Sequence, residues 1–515
     1  MIWCLKFGIS NQRGNDIMLI RIRKKDKQKG SIIAMVLVFG AGALLVLAGL
    51  FGFILIQLRQ SQQKAAFENS LNIAEAGANY YRWHLIHDMN DIQDGQGSCC
   101  SDGSCSACGP YDHPYYDAQG NLVGHFSLEI TPRKICDQIL GVYVTSTGYT
   151  DKFPDFKRKI MAKYASTSVA EFSYLLNDDV WAGDDRQIYG KYHSNGGIRM
   201  DGDHNSTVTS ASPTWTCTSS FGCSSSACPP GCSRSGSNCT CSGVIGSSSN
   251  SDLWQFPVPP FDFNGLTNDL SKMKTLAKSK GKYFPPSTNL NPHGLGYHLI
   301  LRDDGNFDIK IITSLGRVWG YSIEEGWHWD YNIIQEESDY QTDVSLPATC
   351  GLIFTEDNLW VEGAVKGKVT VASANLINAF KDTGVVLNNN LTYTNLNGED
   401  SLSLITEKDI LIPLYSPENM VVQGVFVSQK GRSVSRNHYD CSWYPDDCKK
   451  NDLTIYGSVV SDGRVGTKWT SDTDDWISGY NQRYDYFDQK LATDPPPLLP
   501  YVSEDLQLIS WEEVQ

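Results

Sequence analysis

Cysteines are the residues of this chain whose number and spacing bear most directly on chemistry. The chain has 15 of them in 515 residues, which is many for a cytosolic protein and ordinary for an oxidising compartment. Only Cys105 and Cys108 have the C-x2-C spacing of half a zinc ribbon, and no second such pair follows. We therefore predict disulfides rather than a metal site, with Cys441–Cys448 as the best single pair. Spacing leaves the other pairings open: they involve the cluster Cys99, Cys100, Cys105 and Cys108, the cluster Cys217, Cys223, Cys228, Cys232, Cys239 and Cys241, and the isolated Cys136 and Cys350.

Three groups of acidic and amide side chains have the spacing of oxygen ligands for Ca²⁺. None has the Gly at position six and the Glu at position twelve of an EF-hand loop. The same residue types build turns, so the sequence favours turns at each group, and we predict no metal site and no cofactor. The groups are Asp201, Asp203 and Asn205; Asp303, Asp304, Asn306 and Asp308; and Asp472, Asp474 and Asp475.

His193 and Ser194 combine two residue types of nucleophilic catalysis, yet no G-x-S-x-G elbow surrounds them. Phosphate-binding loops, dinucleotide fingerprints and H-E-x-x-H motifs are also absent from the sequence. No pair of carboxylates stands out as the pair that would flank a glycosidic bond in a hydrolase. We therefore expect that the protein is not an enzyme.

The densest aromatic group lies between residues 319 and 331. If exposed, these rings would offer stacking surfaces for a sugar or a protein. Aromatic residues also favour strands, and the sequence favours the interpretation that they form the core of a twisted sheet. The group consists of Trp319, Tyr321, Trp327, Trp329 and Tyr331.

All these candidates follow an uncharged apolar run from Ile32 to Ile56. A helix crosses a bilayer with about 20 residues, so this run is long enough. Positive charge beside a first span keeps that end in the cytoplasm, which predicts a single-pass membrane protein with an exported remainder. The basic residues before the run are Arg21, Arg23, Lys24, Lys25, Lys27 and Lys29.

The helical pattern continues beyond the apolar run to about Met89, without a proline. Apolar residues recur there at alternating spacings of four and three, which predicts one buried stripe. The whole helix would measure about 88 Å for about 59 residues. A secretory signal peptide would have a shorter apolar region and a small-residue cleavage site. The stripe consists of Phe67, Leu71, Ala74, Ala78, Tyr81 and Leu85.

A family resemblance rests on four features: the basic leader, the Gly30–Ser31 junction, the apolar helix, and Ala74-Glu75-Ala76-Gly77 followed by Tyr80-Tyr81. Together they resemble the type IV pilin-like proteins of bacteria, above all the PilX-type pilus assembly group, over residues 20–90. The resemblance implies that a prepilin peptidase cuts after Gly30. It also implies that the helix packs against membrane lipid and other pilin-like subunits. The sequence departs from the family at Met35, where a major pilin has glutamate.

Charge is distributed unevenly along the chain. Residues 1–58 carry a net charge of +6 and the whole chain carries −15, so the remainder carries about −21. An acidic surface of this kind repels phosphate backbones, which excludes nucleic acid as a partner recognised by charge. A glycan or a ligand on a host or partner cell surface is the expected partner of the exported part.

Strand patterns fill most of the exported part. Residues 125–131, 141–148 and 157–164 alternate, which predicts antiparallel strands that cover the helical stripe. After Leu176, short β-like runs alternate with glycine turns, which favours a parallel β-helix over a β-sandwich. The predicted fold class is α+β.

The predicted organisation has five parts: a basic cytoplasmic leader at 1–30, a transmembrane and extended helix at 31–90, a cysteine loop and sheet at 91–175, a β-rich head at 176–490 with a Cys-rich insertion at 206–250, and a C-terminal tail at 491–515. A start at Met18 would give a leader of more usual length. Within the head, residues 266–280 predict a surface helix and residues 297–312 a β-hairpin.

These features predict a structural protein of a type IV pilus, either a minor pilin or a tip or assembly component. Its head would be displayed outside the cell for pilus assembly or surface adhesion. Two alternatives stay open at this point, a membrane-anchored β-helix enzyme that acts on polysaccharide and a surface adhesin outside any pilus.

Overall fold

The computed structural model of the chain describes residues 31–88, 91–95, 107–136, 138–224, 228–263, 270–378, 381–471 and 475–514. The chain forms two units, Met1–Glu68 and Asn69–Gln515. The first helix, α1 (Ser31–His87), contributes its first part to one unit and its last part to the other.

The described portion of the N-terminal unit is helical. Its apolar side chains between Ile32 and Ile56 are exposed. Within the described residues, one helix is long and apolar enough to cross a membrane, by its length and composition. This is the helix that the apolar run predicts.

The second unit begins with an antiparallel sheet that packs on the last part of α1. Its first four strands have the same order in space as in the sequence. The last strand of the chain is the fifth and pairs with β4. The strands are β1 (Cys108–Tyr116), β2 (Leu122–Ile135), β3 (Gln138–Thr150), β4 (Phe153–Ser168) and β31 (Tyr501–Val514). The predicted α+β class and the predicted antiparallel sheet are confirmed.

The C-terminal segment differs from its sequence interpretation. The sequence predicts a tail at 491–515, but Tyr501–Val514 is strand β31, antiparallel to β4. The partner of this strand lies more than 300 residues earlier in the chain, so local sequence does not reveal the pairing. The N- and C-terminal parts of the second unit therefore form one sheet.

In the described residues, the head between these parts consists mainly of strands, most of them short, and contains two further α-helices. The first group is β5 (Phe172–Leu176), β6 (Val180–Ala182), β7 (Arg186–Ile188), β8 (Lys191–Ser194), β9 (Ile198–Met200), β10 (Asp203–His204), β11 (Val208–Ser210), β12 (Thr214–Cys217), β13 (Cys232–Ser235), β14 (Asn238–Ser242), β15 (Val244–Ile245) and β16 (Trp254–Gln255). Helix α2 (Leu270–Ser279) follows. The second group is β17 (Lys282–Phe284), β18 (Gly296–Leu301), β19 (Asn306–Ser322), β20 (Gly326–Ser345), β21 (Leu352–Thr355), β22 (Leu359–Val365), β23 (Lys368–Ser373), β24 (Val385–Tyr393), β25 (Ser401–Thr406), β26 (Ile410–Leu411), β27 (Asn419–Ser428), β28 (Lys449–Ser461), β29 (Lys468–Thr470) and β30 (Trp476–Tyr486), followed by α3 (Gln489–Thr493).

Most of these strands form a parallel β-helix. One side is a continuous parallel stack in the order β17, β21, β23, β25, β27, β28, β5, β8, β11 and β16. A second side contains β18, β22, β24 and β26, and, separately, β6, β9 and β15. A third contains β27, β28, β30, β7 and β10. Parallel in-register pairing between successive turns of the chain makes this a β-helix, not a β-sandwich.

The chain enters the β-helix in the middle of its long stack. Strand β5 pairs with β28, and Tyr174 lies opposite Val459. The turns from β5 to β16 extend the stack on one side of the β5–β28 pair. The turns from β17 to β28 form the part of the stack on the other side of that pair. Helix α2 lies in the connection between the two groups. It corresponds to the surface helix that the sequence predicts at residues 266–280.

Apolar residues fill the inside of the β-helix and also cover the outer face of its longest stack. Inside are aliphatic side chains such as Val361, Leu404 and Val459. Outside, Met273 of α2 belongs to the same buried cluster as Ile405. Strands that are buried on both faces read as continuous apolar runs, which explains why the pattern after Leu176 only partly alternates.

A ladder of buried hydroxyls marks one corner of the β-helix. From β21 to β11, successive strands of the long stack end in a serine or threonine in register with the next, interrupted only by Leu176. Ser373 donates to the carbonyl oxygen of Asp357 at 2.8 Å, and Ser194 donates to that of Asp178 at 2.7 Å. In both cases the acceptor lies in the preceding turn of the chain, so the hydroxyls tie neighbouring turns together. The ladder is Thr355, Ser373, Thr406, Ser428, Ser461, Ser194 and Ser210, all fully buried.

The Cys-rich insertion is smaller and more ordered than residues 206–250 suggest. Strands β11 and β15, within that range, belong to the β-helix. The remainder forms a three-stranded antiparallel sheet in the order β12, β14 and β13. Disulfides replace a large apolar core in this small sheet.

Candidate functional site

The last part of α1 packs its predicted stripe against the antiparallel sheet. Ala74, Ala78, Tyr81 and Leu85 are buried there. Phe67, which begins the stripe, is 40% exposed. Leu71 is half-buried against the same cluster, so the spacing predicts the contact correctly over the last five members.

Small residues of the Ala74–Gly77 motif permit close approach between helix and sheet. A Cβ at Gly77 would collide with the Ser146 hydroxyl and lie 2.7 Å from the Phe126 ring. On the sheet, a Cβ at Gly148 would collide with the backbone of Ala74. Glycine at both positions thus lets α1 lie directly on β3.

Two buried tyrosines fix the helix further. Tyr164 of β4 donates to the carbonyl oxygen of Ala78 at 2.8 Å, and Tyr81 donates to that of Ile92 at 3.0 Å. Burial raises the pKa of Tyr164 to about 12 and raises that of Tyr81 further. Both phenols therefore remain neutral hydrogen-bond donors at physiological pH.

The predicted cleavage junction lies at the start of the described chain. Gly30 is outside the described residues, and Ser31 is the first residue of α1. Further along the helix, Gly42, Gly49 and Gly52 have no atom within 4 Å of the position of an added Cβ. At 100° per residue these three glycines lie within one third of the helix circumference. They leave a surface where another helix can approach closely.

The structure contains disulfides between cysteines of the predicted clusters. Cys441 and Cys448, the pair singled out in the sequence, are joined, and the isolated Cys136 and Cys350 form a second bridge. The insertion contains Cys217–Cys223, Cys228–Cys239 and Cys232–Cys241. Cys108 is also disulfide-bonded, whereas Cys99, Cys100 and Cys105 lie outside the described residues. The close group of Cys217, Cys223 and Cys241 sulfurs is oxidised and offers no thiolate to a metal.

In the first candidate Ca²⁺ group, Asp201 and Asn205 hold turns, whereas Asp203 lies in strand β10. Asp201 accepts from Trp181 at 2.8 Å and from Arg199 at 2.7 Å, and its other oxygen accepts from Ser247. Asn205 accepts from the backbone amide of Gly190 at 3.0 Å. These bonds hold the chain where it leaves one turn of the β-helix.

In the second group Asp304 has the same role at the turn between β18 and β19, which form the predicted hairpin, whereas Asp308 lies within β19 and contacts β20. Asp304 accepts from the backbone amide of Asn306 at 2.9 Å, and Asp308 accepts from that of Asp343 at 2.7 Å. In the third group Asp472 and Asp474 lie outside the described residues. Asp475 donates its backbone amide to Ser471.

His193 and Ser194 do not form a nucleophile–base pair. The His193 ring contacts Thr209 Oγ1 at 2.9 Å and Asn195 Oδ1 at 3.1 Å. Ser194 belongs to the hydroxyl ladder and donates to Asp178. Burial lowers the pKa of His193, so its ring stays neutral in this structural position.

The aromatic group lies at the surface, so the interpretation as sheet core is wrong. Trp327 is 45% exposed and Trp329 is 41% exposed. The opposite face of the β19–β20 hairpin supplies the packing instead: Asp330 is buried and accepts from Asn437 at 2.9 Å and from Tyr439 at 3.1 Å. Alternation along the strands therefore turns the aromatic side chains outward.

The rings form one continuous surface, the aromatic face, which consists of Trp319, Tyr321, Trp327, Trp329, His438 and Trp469. Ring centroids lie 5.0 Å apart for Trp319 and Trp329, and 6.3 Å apart for Trp319 and Trp327. Tyr321 lies 5.6 Å from Trp327 and 5.7 Å from Trp469. His438 completes the surface, 5.5 Å from Trp327. Sequence reasoning missed His438 and Trp469 because they come from distant turns of the β-helix.

A buried ion cluster inside the β-helix was also missed. Asp485 accepts from Arg186 at 2.7 Å, from Arg483 at 2.9 Å and from the Tyr174 hydroxyl at 2.5 Å. Burial alone would raise the pKa of Asp485, but the two guanidinium groups outweigh burial and hold that pKa below its usual range. Its members lie on β5, β7 and β30, and β7 pairs with β30, so the cluster stabilises the junction between the two groups of turns.

Comparison with known proteins adds little to this description. No protein-family model and no curated protein matches the chain. One solved structure that matches is the crystal structure of the competence-associated pilin ComZ from Thermus thermophilus. It has 11% sequence identity, with 87% of this chain and 97% of that chain covered, and a TM-score of 0.30. A TM-score of that size carries no argument about fold or function.

Proposed function

We propose that this chain is a pilus-related structural protein, a minor pilin or a tip or assembly component of PilX type. The observation that carries the proposal is the two-part character of α1. Its first part presents exposed apolar side chains from Ile32 to Ile56, and its last part is buried on an antiparallel sheet. This arrangement suits a subunit in which the first part of α1 contacts lipid or the helices of neighbouring subunits.

The proposed location is the cell membrane, crossed once, with the N-terminus in the cytoplasm and the head outside. Basic residues before Ile32 support this orientation. The disulfides of the second unit support an oxidising compartment for the head. We propose prepilin peptidase as the enzyme that cuts between Gly30 and Ser31. Mass spectrometry of the mature N-terminus should find Ser31 first; an intact peptide across the junction would contradict cleavage.

Helix contacts with other pilin-like subunits give the sharpest test of the function. A leucine at Gly49 would cover the glycine surface, and its Cβ would have no atom within 4 Å in the described structure. Gly40→Leu is a matched control, because Gly40 lies about 180° away on the same helix and is equally open. We expect Gly49→Leu to lower the amount of protein in sheared filaments several-fold, whereas Gly40→Leu leaves it near wild type.

Measurement combines immunoblotting of sheared filaments with immunogold labelling of the same cells. For this comparison to report on assembly, the two variants must be present in equal amounts in the membrane fraction. Wild-type protein that is confined to the cell envelope would contradict the pilus assignment and leave a membrane-anchored surface protein. Equal loss in both variants would contradict the glycine surface as the contact.

In this function the head has no catalytic role. A β-helix enzyme on polysaccharide is the competing function, and a glycan-release assay on the full chain with acidic and neutral polysaccharides tests it. We expect no release of reducing sugar above background. A surface adhesin is the second candidate, and the exposed aromatic face is the observation that favours it.

A further inference from the structure

We propose that the aromatic face binds a neutral, hydroxyl-rich glycan. This inference goes beyond pilus assembly and rests on the proposed function only in requiring that the head be displayed outside the cell. It starts from the exposure of Trp327 and Trp329 on a hairpin whose opposite face packs around the buried Asp330. Exposed aromatic side chains combine a large apolar surface with a polar edge, which suits ligands that are apolar on one face and polar at the rim.

Spacing is the first argument for a chain-like ligand. The rings follow one another from Trp329 to Trp469 in steps of 5.0 to 6.3 Å between centroids. A row of rings contacts several successive units of an extended polymer. A single small ligand would need a closed cavity, whereas this surface is open.

Free hydrogen-bond donors are the second argument. Within the described part of the chain, the indole N–H groups of Trp319, Trp327 and Trp329 have no protein acceptor. The indole of Trp469, by contrast, donates to the carbonyl oxygen of Arg436 at 2.9 Å. Three donors at the edges of stacking surfaces match the hydroxyl oxygens around the apolar faces of sugar rings.

Charge decides between a neutral and a charged ligand. At the tip of the hairpin, Glu325 pairs with Lys408 at 3.0 Å, and Glu324 lies 3.4 Å from Arg432. On the aromatic face itself, the Arg317 guanidinium lies 4.5 Å from the centroid of Trp329 and covers part of that ring. Carboxylates at the rim are thus paired with cations, so the surface offers no concentrated charge for an acidic polymer.

Binding is tested with the full chain, purified in a detergent without a sugar headgroup. The probes are neutral hexasaccharides of glucose, galactose, mannose and N-acetylglucosamine, with hexagalacturonate as the acidic comparison. Calorimetry gives affinity, and tryptophan fluorescence reports whether the rings are contacted. We expect at least one neutral probe to bind more than tenfold more tightly than hexagalacturonate.

Two substitutions localise the site. Trp329→Ala should weaken binding about tenfold, which corresponds to about 1.4 kcal/mol, and Trp329→Phe should weaken it less because a ring remains. Trp511→Ala is the matched control, because Trp511 is 52% exposed on β31, in the antiparallel sheet. Thermal unfolding of each variant verifies that the head is folded.

Three results would overturn the proposal: no binding to any of the neutral probes, preference for hexagalacturonate, or equal affinity of the Trp329→Ala and wild-type chains. The assay takes place in solution and does not require a filament. Loss of the pilus assignment would therefore leave this result intact, and failure of glycan binding would leave the pilus assignment intact.

Discussion

Asp485 illustrates how single side chains stabilise the middle of the β-helix. Its carboxylate neutralises part of the charge of Arg186 and Arg483 in a fully buried setting. Removing one partner of a buried ion cluster leaves uncompensated charge and costs about 3–5 kcal/mol. We expect Asp485→Asn to lower the free energy of unfolding by this amount, measured by denaturant titration. Asp339→Asn is the control: its side chain is 73% exposed, so little change should follow.

Acid should affect the same residue in the wild-type chain. The pKa of Asp485 is lower in the folded chain than the unfolded value of about 3.9. A carboxyl with a lowered pKa stabilises the fold above the unfolded pKa, and the contribution is lost as pH falls through the folded pKa. Unfolding free energies of wild type and Asp485→Asn should therefore converge below about pH 4. Parallel pH curves would contradict this assignment.

Elements of the head are tied together by the hydroxyl ladder. Ser373→Ala removes the hydrogen bond to the Asp357 carbonyl oxygen in a fully buried corner. A buried acceptor without its donor costs about 1–3 kcal/mol. We expect a loss of this size in unfolding free energy, with Ser338→Ala on the exposed part of β20 as a near-neutral control. Equal stability of both variants would indicate that the ladder adds nothing beyond packing.

The contact between α1 and its sheet gives a second prediction at the scale of elements. Alanine at Gly77 places a methyl group 2.7 Å from the Phe126 ring. Overpacking of this kind costs about 1–3 kcal/mol. Thermal unfolding of Gly77→Ala should begin at a lower temperature than that of wild type. Asn72→Ala, on the exposed side of the same helix, should unfold with wild type.

The sequence predicts helices and strands better than it predicts which strands pair and which faces are buried. Spacing of the stripe finds the helix face because one periodicity applies along the whole element. The same reasoning fails for Tyr501–Val514, since its register depends on β4. It also fails for the aromatic face, because alternation shows which residues share a side but not which side is buried. His438 and Trp469 join that surface only because the β-helix brings distant turns of the chain together. No local sequence pattern predicts their position.

Among the disulfides between described residues, one joins segments that are far apart in the sequence. Cys136 at the end of β2 is joined to Cys350 beside β21, across 214 residues. Cys441–Cys448 spans only seven. In the chain-entropy model the longer loop stabilises by about 3 kcal/mol more. Replacing Cys136 and Cys350 by serine should therefore lower unfolding free energy more than replacing Cys441 and Cys448. The opposite order would point to native-state contacts of the short loop.

Entry of the chain into the middle of its own stack has a consequence for folding. Tyr174 precedes Val459, its neighbour in the finished fold, by most of the length of the head. Until the later segment is in place, the edge of β5 that pairs with β28 has unpaired backbone groups and can pair with a wrong strand. Pairing across such a distance is slow because loop closure must come first. The long stack is therefore completed late in folding, when β28 closes the gap between its two halves.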